Sequence, residues 1–494
     1  MSTVHKQRRN VPGACLLTAV ALSLSILGCQ TAKTQTPPSV GQVHSYFGSS
    51  FPAYENSGTK IDHTVNQISL SIASSGGPLP VVAGTFTIAP TGFLSVTQNF
   101  AAGIPDSQFQ PPLVAGQPLT GAWVAEIPGA GALANLLTVN TGSSGPATLG
   151  GPAAMVENTS CPNFADTATY LYVTVPAVNG LGTVSTADYG IVGIKTHGSA
   201  VTFSAQPFLV GSSAQAQSVV TGGCSDSFFG PITTFPLNSI GETSFDRIGI
   251  GTSGFLVDSF SPVNSTGAFG QSENSSGVLA VSLPASPVDV SAVLSANFIG
   301  FLYAPQNQIT FSVPLTYDAT VLASAFGNNT ATSQVCSVLS KSLASNNGHG
   351  SSGTVAALPS ANSLFGGEFL TTSGGTTTND PSGPHGSENC DVAIDLGAQD
   401  PNNNGLFPNA SVFIGSNFPS FNVDNPWLCT GLNQGNGLPC AVSFPAAAIV
   451  GQVNGQFVIF VAASPQSTPP AQLPDAFGNL TPQPVGIYLI QNSQ

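Results

Sequence analysis

Residues 446–463 read AAAIVGQV-NG-QFVIFVAA, two apolar runs of eight residues hinged on Asn454-Gly455. Asn-Gly between apolar runs is a strong short-range hairpin signal, because a type I′ turn needs positive φ at both central residues and these two tolerate it. The reading is therefore two antiparallel strands, 446–453 and 456–463, with a type I′ turn. Outward from this hairpin the same chemistry recurs. Ile68, Leu70 and Ile72 alternate with Ser69 and Ser71, and short β-branched or alternating runs elsewhere are broken by Gly, Pro, Asn and Ser. Period two with turn residues between the runs is strand chemistry, so the fold class read here is all-β.

Two spaced series suggest repetition. Strands end in Thr/Gly turns at Gly92, Gly142, Gly198 and Gly254, and a second set of short strands closes at Pro128, Pro176, Pro236 and Pro284. Both series step by about 50 residues, which is the length of a four-stranded propeller blade. The expectation is a repetitive, β-propeller-like body of roughly eight units, with the last strand, VGIYLIQ (485–491), closing the ring; stacked β-sandwich domains are the alternative. One stretch departs from strand periodicity. Val335, Val338, Leu339 and Leu343 recur at helical spacing before Asn346, Asn347 and Gly348, so a short α-helical insertion is expected over 318–346.

Composition restricts the class of partner. Only 6% of the 494 residues are charged and 41% are hydrophobic, with 55 Gly and 39 Pro. Ordinary domains carry about 25% charged residues, so this surface is held in water by hydroxyls and amides. The 30 Phe spread among Val, Ile and Leu supply a core, which separates the chain from acidic disordered proteins. Three of the eight Lys and Arg lie in the first nine residues, leaving five against 22 acids beyond them, a net near −17. Nucleic acid and anionic lipid headgroups are poor partners for such a surface.

The N-terminus has a different character. Lys6, Arg8 and Arg9 precede the uncharged stretch ACLLTAVALSLSILG at 14–28. This is a positive n-region followed by a secretory h-region. It is shorter than the roughly 20 apolar residues that span a bilayer. Its end, Ile26-Leu27-Gly28-Cys29, resembles the lipobox of bacterial lipoproteins. The resemblance implies a signal peptide over 1–28, cleavage before Cys29, a lipid anchor on that cysteine and, with Gln30 rather than Asp following it, sorting to the outer membrane. Residues 29–43, polar and proline-bearing, read as a tether, and 44–494 as the β-rich body.

Six further cysteines, Cys161, Cys224, Cys336, Cys390, Cys429 and Cys440, are an even set in an exported chain and so are disulfide candidates. Pairing between sequence neighbours is the connectivity expected among the 15 that six cysteines allow. Asp400-Pro-Asn402-Asn-Asn404-Gly405 matches the first half of a calcium loop, making Asp400, Asn402 and Asn404 a weak candidate Ca²⁺ site; the other reading is an Asx turn. No G-x-S-x-G elbow, H-E-x-x-H pair, P-loop or dinucleotide fingerprint occurs. His44, His63, His197, His349 and His385 read as surface-loop residues. Asp62 and His63 are adjacent and so face opposite sides of a strand. Glu126 shares a face with Val124, opposite Trp123, Ala125 and Ile127, and is expected to be solvent-exposed; the alternative is a half-buried carboxylate acting as acid or base.

The function these features point to is binding or structural, on a lipid-anchored protein at the cell surface, with carbohydrate or protein as the candidate ligand and no catalytic set. The enzymatic alternative is a propeller hydrolase or lyase acting on carbohydrate, with Glu126, Asp188 or Asp246 meeting at the ring axis.

Overall fold

A computed structural model describes residues 42–50, 56–74, 77–89, 91–100, 119–134, 153–157, 160–174, 188–210, 218–226, 232–236, 243–251, 253–259, 278–306, 309–317, 363–368, 371–373, 376–378, 392–414, 442–463, 472–474, 480–482 and 485–492. The described chain is nearly all β. Its strands close into three eight-stranded antiparallel barrels.

The first barrel runs in chain order from β1 (Val43–Ser50) through β2 (Asn56–Asp62), β3 (Gln67–Ser74), β4 (Gly77–Ile88), β5 (Leu94–Phe100), β6 (Leu119–Ile127) and β7 (Gly131–Ala134) to β8 (Ala153–Glu157), which pairs back onto β1. The second starts with β9 (Ala168–Thr174), β10 (Asp188–His197) and β11 (Ala200–Leu209). It continues with β12 (Ser218–Ser225), β13 (Ile232–Pro236), β14 (Thr243–Ile250), β15 (Phe255–Ser259) and β16 (Val278–Ser282), and closes where β16 pairs with β9. A five-residue helix, α1 (Val290–Leu294), leads into the third, formed by β17 (Phe298–Gln306), β18 (Ile309–Tyr317), β19 (Ser363–Glu368), β22 (Val392–Asp395), β23 (Leu406–Ile414), β24 (Val442–Val453), β25 (Gln456–Ala463) and β28 (Val485–Gln491). Two small hairpins, β20 (Thr371–Ser373) with β21 (Thr376–Thr378) and β26 (Gln472–Pro474) with β27 (Leu480–Pro482), stand outside the barrels.

The propeller expectation is thereby corrected, and so is the sandwich alternative. Gly92, Gly198 and Gly254 do sit in hairpin turns with positive φ, and Gly142 lies outside the described residues. These turns fall within antiparallel barrels rather than four-stranded blades. The last strand does close a ring, but it is the third barrel's own: β28 bridges β25 and β17. The turn at Asn454-Gly455 is as the sequence reads, with φ of 50° and 76° and Val453 opposite Gln456. The helical insertion expected over 318–346 lies outside the described residues.

Strand periodicity explains both the filling and the packing of the barrels. On β11, Val201, Phe203 and Ala205 are buried in the second barrel's interior with Tyr170, Tyr172, Val192 and Ile194, while Thr202, Ser204 and Gln206 face outward. Tyr46, Ile61, Ile68, Phe86, Val96, Val124 and Met155 fill the first barrel. Residues such as Phe298, Leu302, Ile394, Val450, Ile459 and Leu489 fill the third, and Val293 of α1 plugs it. Asp289 caps that helix by accepting from the backbone N–H of Ser291 and Ala292. The opening hairpin has no polar face because it is buried twice. Ile459, Val461 and Ala463 point into the third barrel, whereas Val458, Phe460 and Ala462 point out of it into a second core.

That second core joins the barrels. Phe47, Trp123 and Val156 come to it from the first barrel, Leu171, Phe255 and Val281 from the second, and Phe301, Phe460 and Tyr488 from the third. Phe93 meets Phe301 at 5.6 Å between ring centroids, and Phe255 meets Phe460 at 5.5 Å, both within aromatic pairing range. Gly451 on β24 lets the sheets approach: a Cβ there would lie 2.6 Å from Cγ2 of Val281. Each large side chain buried here contributes about 1.5–3 kcal/mol. No helix among the described residues is long and apolar enough to cross a membrane.

Candidate functional site

The polar cluster with the most chemistry among the described residues sits at one end of the first barrel. Tyr46 lies on β1 and points inward, buried with Phe86 and Val124. His44, two residues earlier, shares its face. His63 immediately follows β2, in phase with inward-facing Ile61, and Asp62 falls on the opposite face, as adjacency on a strand requires. Glu126 on β6 is in phase with inward-facing Val124, while Trp123, Ala125 and Ile127 enter the core between barrels. Closing the barrel brings these inward positions of β1, β2 and β6 together at its mouth.

The hydrogen bonds fix the carboxylate from both sides. Tyr46 Oη donates to Glu126 Oε1 at 2.5 Å, and His63 Nε2 lies 2.8 Å from Glu126 Oε2. The backbone N–H of Gly129 donates to Tyr46 Oη at 3.2 Å, anchoring the phenol in turn. His44 stacks its ring edge against His63 at 5.8 Å and lies 6.2 Å from the Tyr46 ring; Phe86 supports His63 at 5.3 Å. The Glu126 side chain is only 4% exposed and that of His63 14%.

Burial and pairing shift these groups in different directions. His63 is raised above the ordinary histidine value, chiefly by its hydrogen bond to Glu126, against the opposing effect of burial. His44 is lowered, first because burial disfavours the imidazolium, with the Glu126 charge opposing and His63 adding to the depression. Tyr46 is raised well above the phenol value by burial and by the neighbouring Glu126 charge and hydrogen bond. The cluster thus offers a carboxylate held from both sides, a histidine whose protonated form its hydrogen bond to that carboxylate favours, and a second histidine whose protonated form burial disfavours.

Two expectations from the sequence change here. Glu126 is nearly buried rather than solvent-exposed, and His44 and His63 form part of one cluster rather than separate surface loops. His197, in the β10–β11 turn, is exposed, and His349 and His385 lie outside the described residues. The acids of the enzymatic alternative do not share an axis. Glu126 is on the first barrel, whereas Asp188 and Asp246 are on β10 and β14 of the second.

The loop at 400–405 opens with an Asx turn at Asp400. Asp400 Oδ1 accepts from the Asn402 backbone N–H at 2.7 Å, Asn404 Nδ2 donates to the Pro284 carbonyl at 3.0 Å, and the backbone N–H of Gly405 donates to Gln399 Oε1 at 2.9 Å. Gln399 Oε1 also accepts from the Val288 N–H, so the loop clips the third barrel's end to the segment leading from the second. Cys161 and Cys224 form a disulfide with a Cα–Cα distance of 6.0 Å, holding the segment before β9 against β12. Cys29, Cys336, Cys390, Cys429 and Cys440 lie outside the described residues.

No protein-family model matches the chain, and no curated protein matches it. Solved structures align weakly. Isotype 1 transferrin-binding protein B from serogroup B Neisseria meningitidis aligns at 10% identity over 89% of this chain and 66% of its own, with a TM-score of 0.22. This chain therefore spans just under two thirds of that protein. An intact transferrin-binding protein B with N and C lobes aligns at 8% identity over 92% of this chain and 77% of its own, with a TM-score of 0.21. A variant of the Haemophilus parasuis Hp5 protein of the same name aligns at 7% over 93% and 77%, with a TM-score of 0.22. Scores this low do not establish a shared architecture.

Proposed function

We propose that this is an exported protein, held at the outer membrane by lipid on Cys29, whose three-barrel body serves as a binding scaffold at the cell surface for a protein or carbohydrate ligand. The observation that supports this reading best is how the strands distribute polarity. Interiors are apolar and filled, and the outward apolar faces are turned against one another. Elsewhere the described outward residues are mostly polar, with Ile88 on β4 and Val219 on β12 as apolar exceptions: Lys60 on β2, Thr85 and Thr87 on β4, Lys195 on β10 and Thr202 on β11, which bonds Thr221 across the strands at 2.9 Å. Barrels that span the outer membrane alternate the other way, apolar outward and polar inward. Such a body needs an anchor to stay on a membrane, and the lipobox resemblance supplies one. With the barrel interiors filled, what the fold presents to a partner is barrel ends and neutral polar outer faces.

The test is fractionation of the native host with mass analysis of the mature N-terminus, for the wild type and for C29A, followed by protease accessibility on intact cells. Lipid-modified Cys29 at the mature N-terminus, release of C29A from the membrane fraction and cleavage of the wild type on whole cells are expected. An unlipidated soluble protein would overturn the anchor. Binding is then assayed with the soluble body on glycan and protein arrays; a body that retains neither class above background would overturn the ligand assignment.

A further inference from the structure

We propose that His44, His63 and Glu126 form a binding site for a divalent transition-metal ion of the zinc type at the mouth of the first barrel. Two imidazoles and one carboxylate are the donor types of open zinc sites, in which three protein ligands leave a fourth position for water or another molecule. Calcium and magnesium prefer sets made of oxygen donors, so the two histidines direct the site toward zinc and its neighbours.

The donor atoms of the three residues all lie within 4.8 Å of one another. A tetrahedral ion with ligand bonds of about 2.0–2.1 Å holds its donors roughly 3.4 Å apart, so the widest gap closes by at most about 1.4 Å. His63 Nε2 and Glu126 Oε2, hydrogen-bonded at 2.8 Å, open by roughly 0.6 Å to admit the ion, while Phe86 packs on the His63 ring and Tyr46 holds the other carboxylate oxygen. His44 is partly exposed and is placed by ring contacts with Tyr46 and His63, which leaves its ring free to adjust.

The surroundings are those of a supported ligand set. Glu126 presents two differently employed oxygens: Oε1 receives the Tyr46 hydroxyl, while Oε2 faces His63. An ion bound at Oε2 would leave the Tyr46 bond intact as the second-layer contact that orients a ligating carboxylate. Tyr46 is itself held by Gly129 N–H, so the chain of support ends on backbone. Beneath the cluster, Ile61, Ile68, Phe86 and Val124 form an apolar floor that strengthens electrostatic attraction. Lys60, the neighbouring cation, points outward to Asp62 at 4.0 Å. An ion on His63 Nε2 and Glu126 Oε2 takes the place of the hydrogen bond between them.

The experiment is calorimetric titration of untagged, chelator-stripped protein with Zn²⁺, paired with visible absorption of the Co²⁺ form. One equivalent of Zn²⁺ bound and cobalt bands of low-symmetry, four- or five-coordinate character are expected. The variant H44Q should abolish the cobalt spectrum while circular dichroism stays native, and Tyr46→Phe should weaken binding by about 10–100-fold, the usual effect of removing a second-layer contact. E126Q, which keeps the shape of the side chain, should also lose the ion. If wild-type protein shows no saturable one-to-one binding, the site does not exist as proposed. If H44Q and E126Q bind as tightly as wild type, the ion sits on other residues and the proposal is equally overturned.

Discussion

His44 and His63 lie in one cluster, yet their environments push them apart, and this has a measurable consequence in the metal-free protein. His63 is raised by Glu126, so its contribution to stability is fully present below the unfolded histidine value near 6.5 and is lost as pH rises through its higher folded value. His44 is lowered by burial, so the unfolded chain takes up its proton first, and stability is lost as pH falls from about 6.5 toward its folded value. Subtracting the Tm-versus-pH curve of H63Q from that of wild type should leave a slope on the alkaline side of that point. The same subtraction with H44Q should leave one on the acid side. Identical difference curves would show that the two rings are not distinguished by their surroundings. Part of this cluster was legible in the sequence. The phase of Glu126 with Val124, and the opposition of Asp62 to His63, both follow from strand periodicity and both hold. What no local pattern carries is that β6 lies across the barrel mouth from β1 and the end of β2. Local pattern alone therefore leaves Glu126 looking exposed, although its side chain is only 4% exposed.

At the scale of elements, the strands of mixed polarity were easier to read than those without it. β11 alternates and announces its inner face, whereas β25 is apolar throughout because Ile459 and Phe460 are buried in different cores. A run buried on both faces looks the same in a propeller, a sandwich or fused barrels, so the architecture stayed hidden even though the hairpin did not. The inter-barrel core can be tested by a double-mutant cycle on Phe255 and Phe460. Each Phe→Ala change should cost about 3–5 kcal/mol. Their ring contact should give a coupling energy of about 0.5–3 kcal/mol in urea unfolding, and strict additivity would mean that the two barrels do not lean on each other there. Gly451→Ala should destabilise by about 1–3 kcal/mol, since the added methyl meets buried Val281. A separate staple holds the second barrel. The Cys161–Cys224 bridge closes a separation of 63 residues, and replacing both cysteines by serine should lower stability by about 2–4 kcal/mol, read by urea titration under non-reducing conditions.

For the whole molecule, the decisive feature is that each barrel has two hydrophobic surfaces, one inside and one outside, and only the inside is its own. Taken alone, the third barrel would expose Phe301, Ile449, Phe460, Tyr488 and Ile490, all at most 2% exposed in the intact chain. A contiguous apolar patch of that kind exceeds what soluble monomers usually tolerate. A fragment beginning at Pro284 should therefore fold into a β-rich domain that binds a hydrophobic dye and self-associates, while the intact body stays monomeric and binds little dye. Introducing Phe301→Ser, Phe460→Ser and Tyr488→Ser into the fragment should reduce dye binding and association, because those side chains point away from the barrel's own interior. The same three changes in the full-length chain should do the opposite, loosening the barrels and exposing apolar surface. Size-exclusion chromatography with light scattering decides between these outcomes. An unmodified fragment that runs as a clean monomer without binding dye would mean that the shared core is dispensable, and that the barrels are three independent domains on one chain.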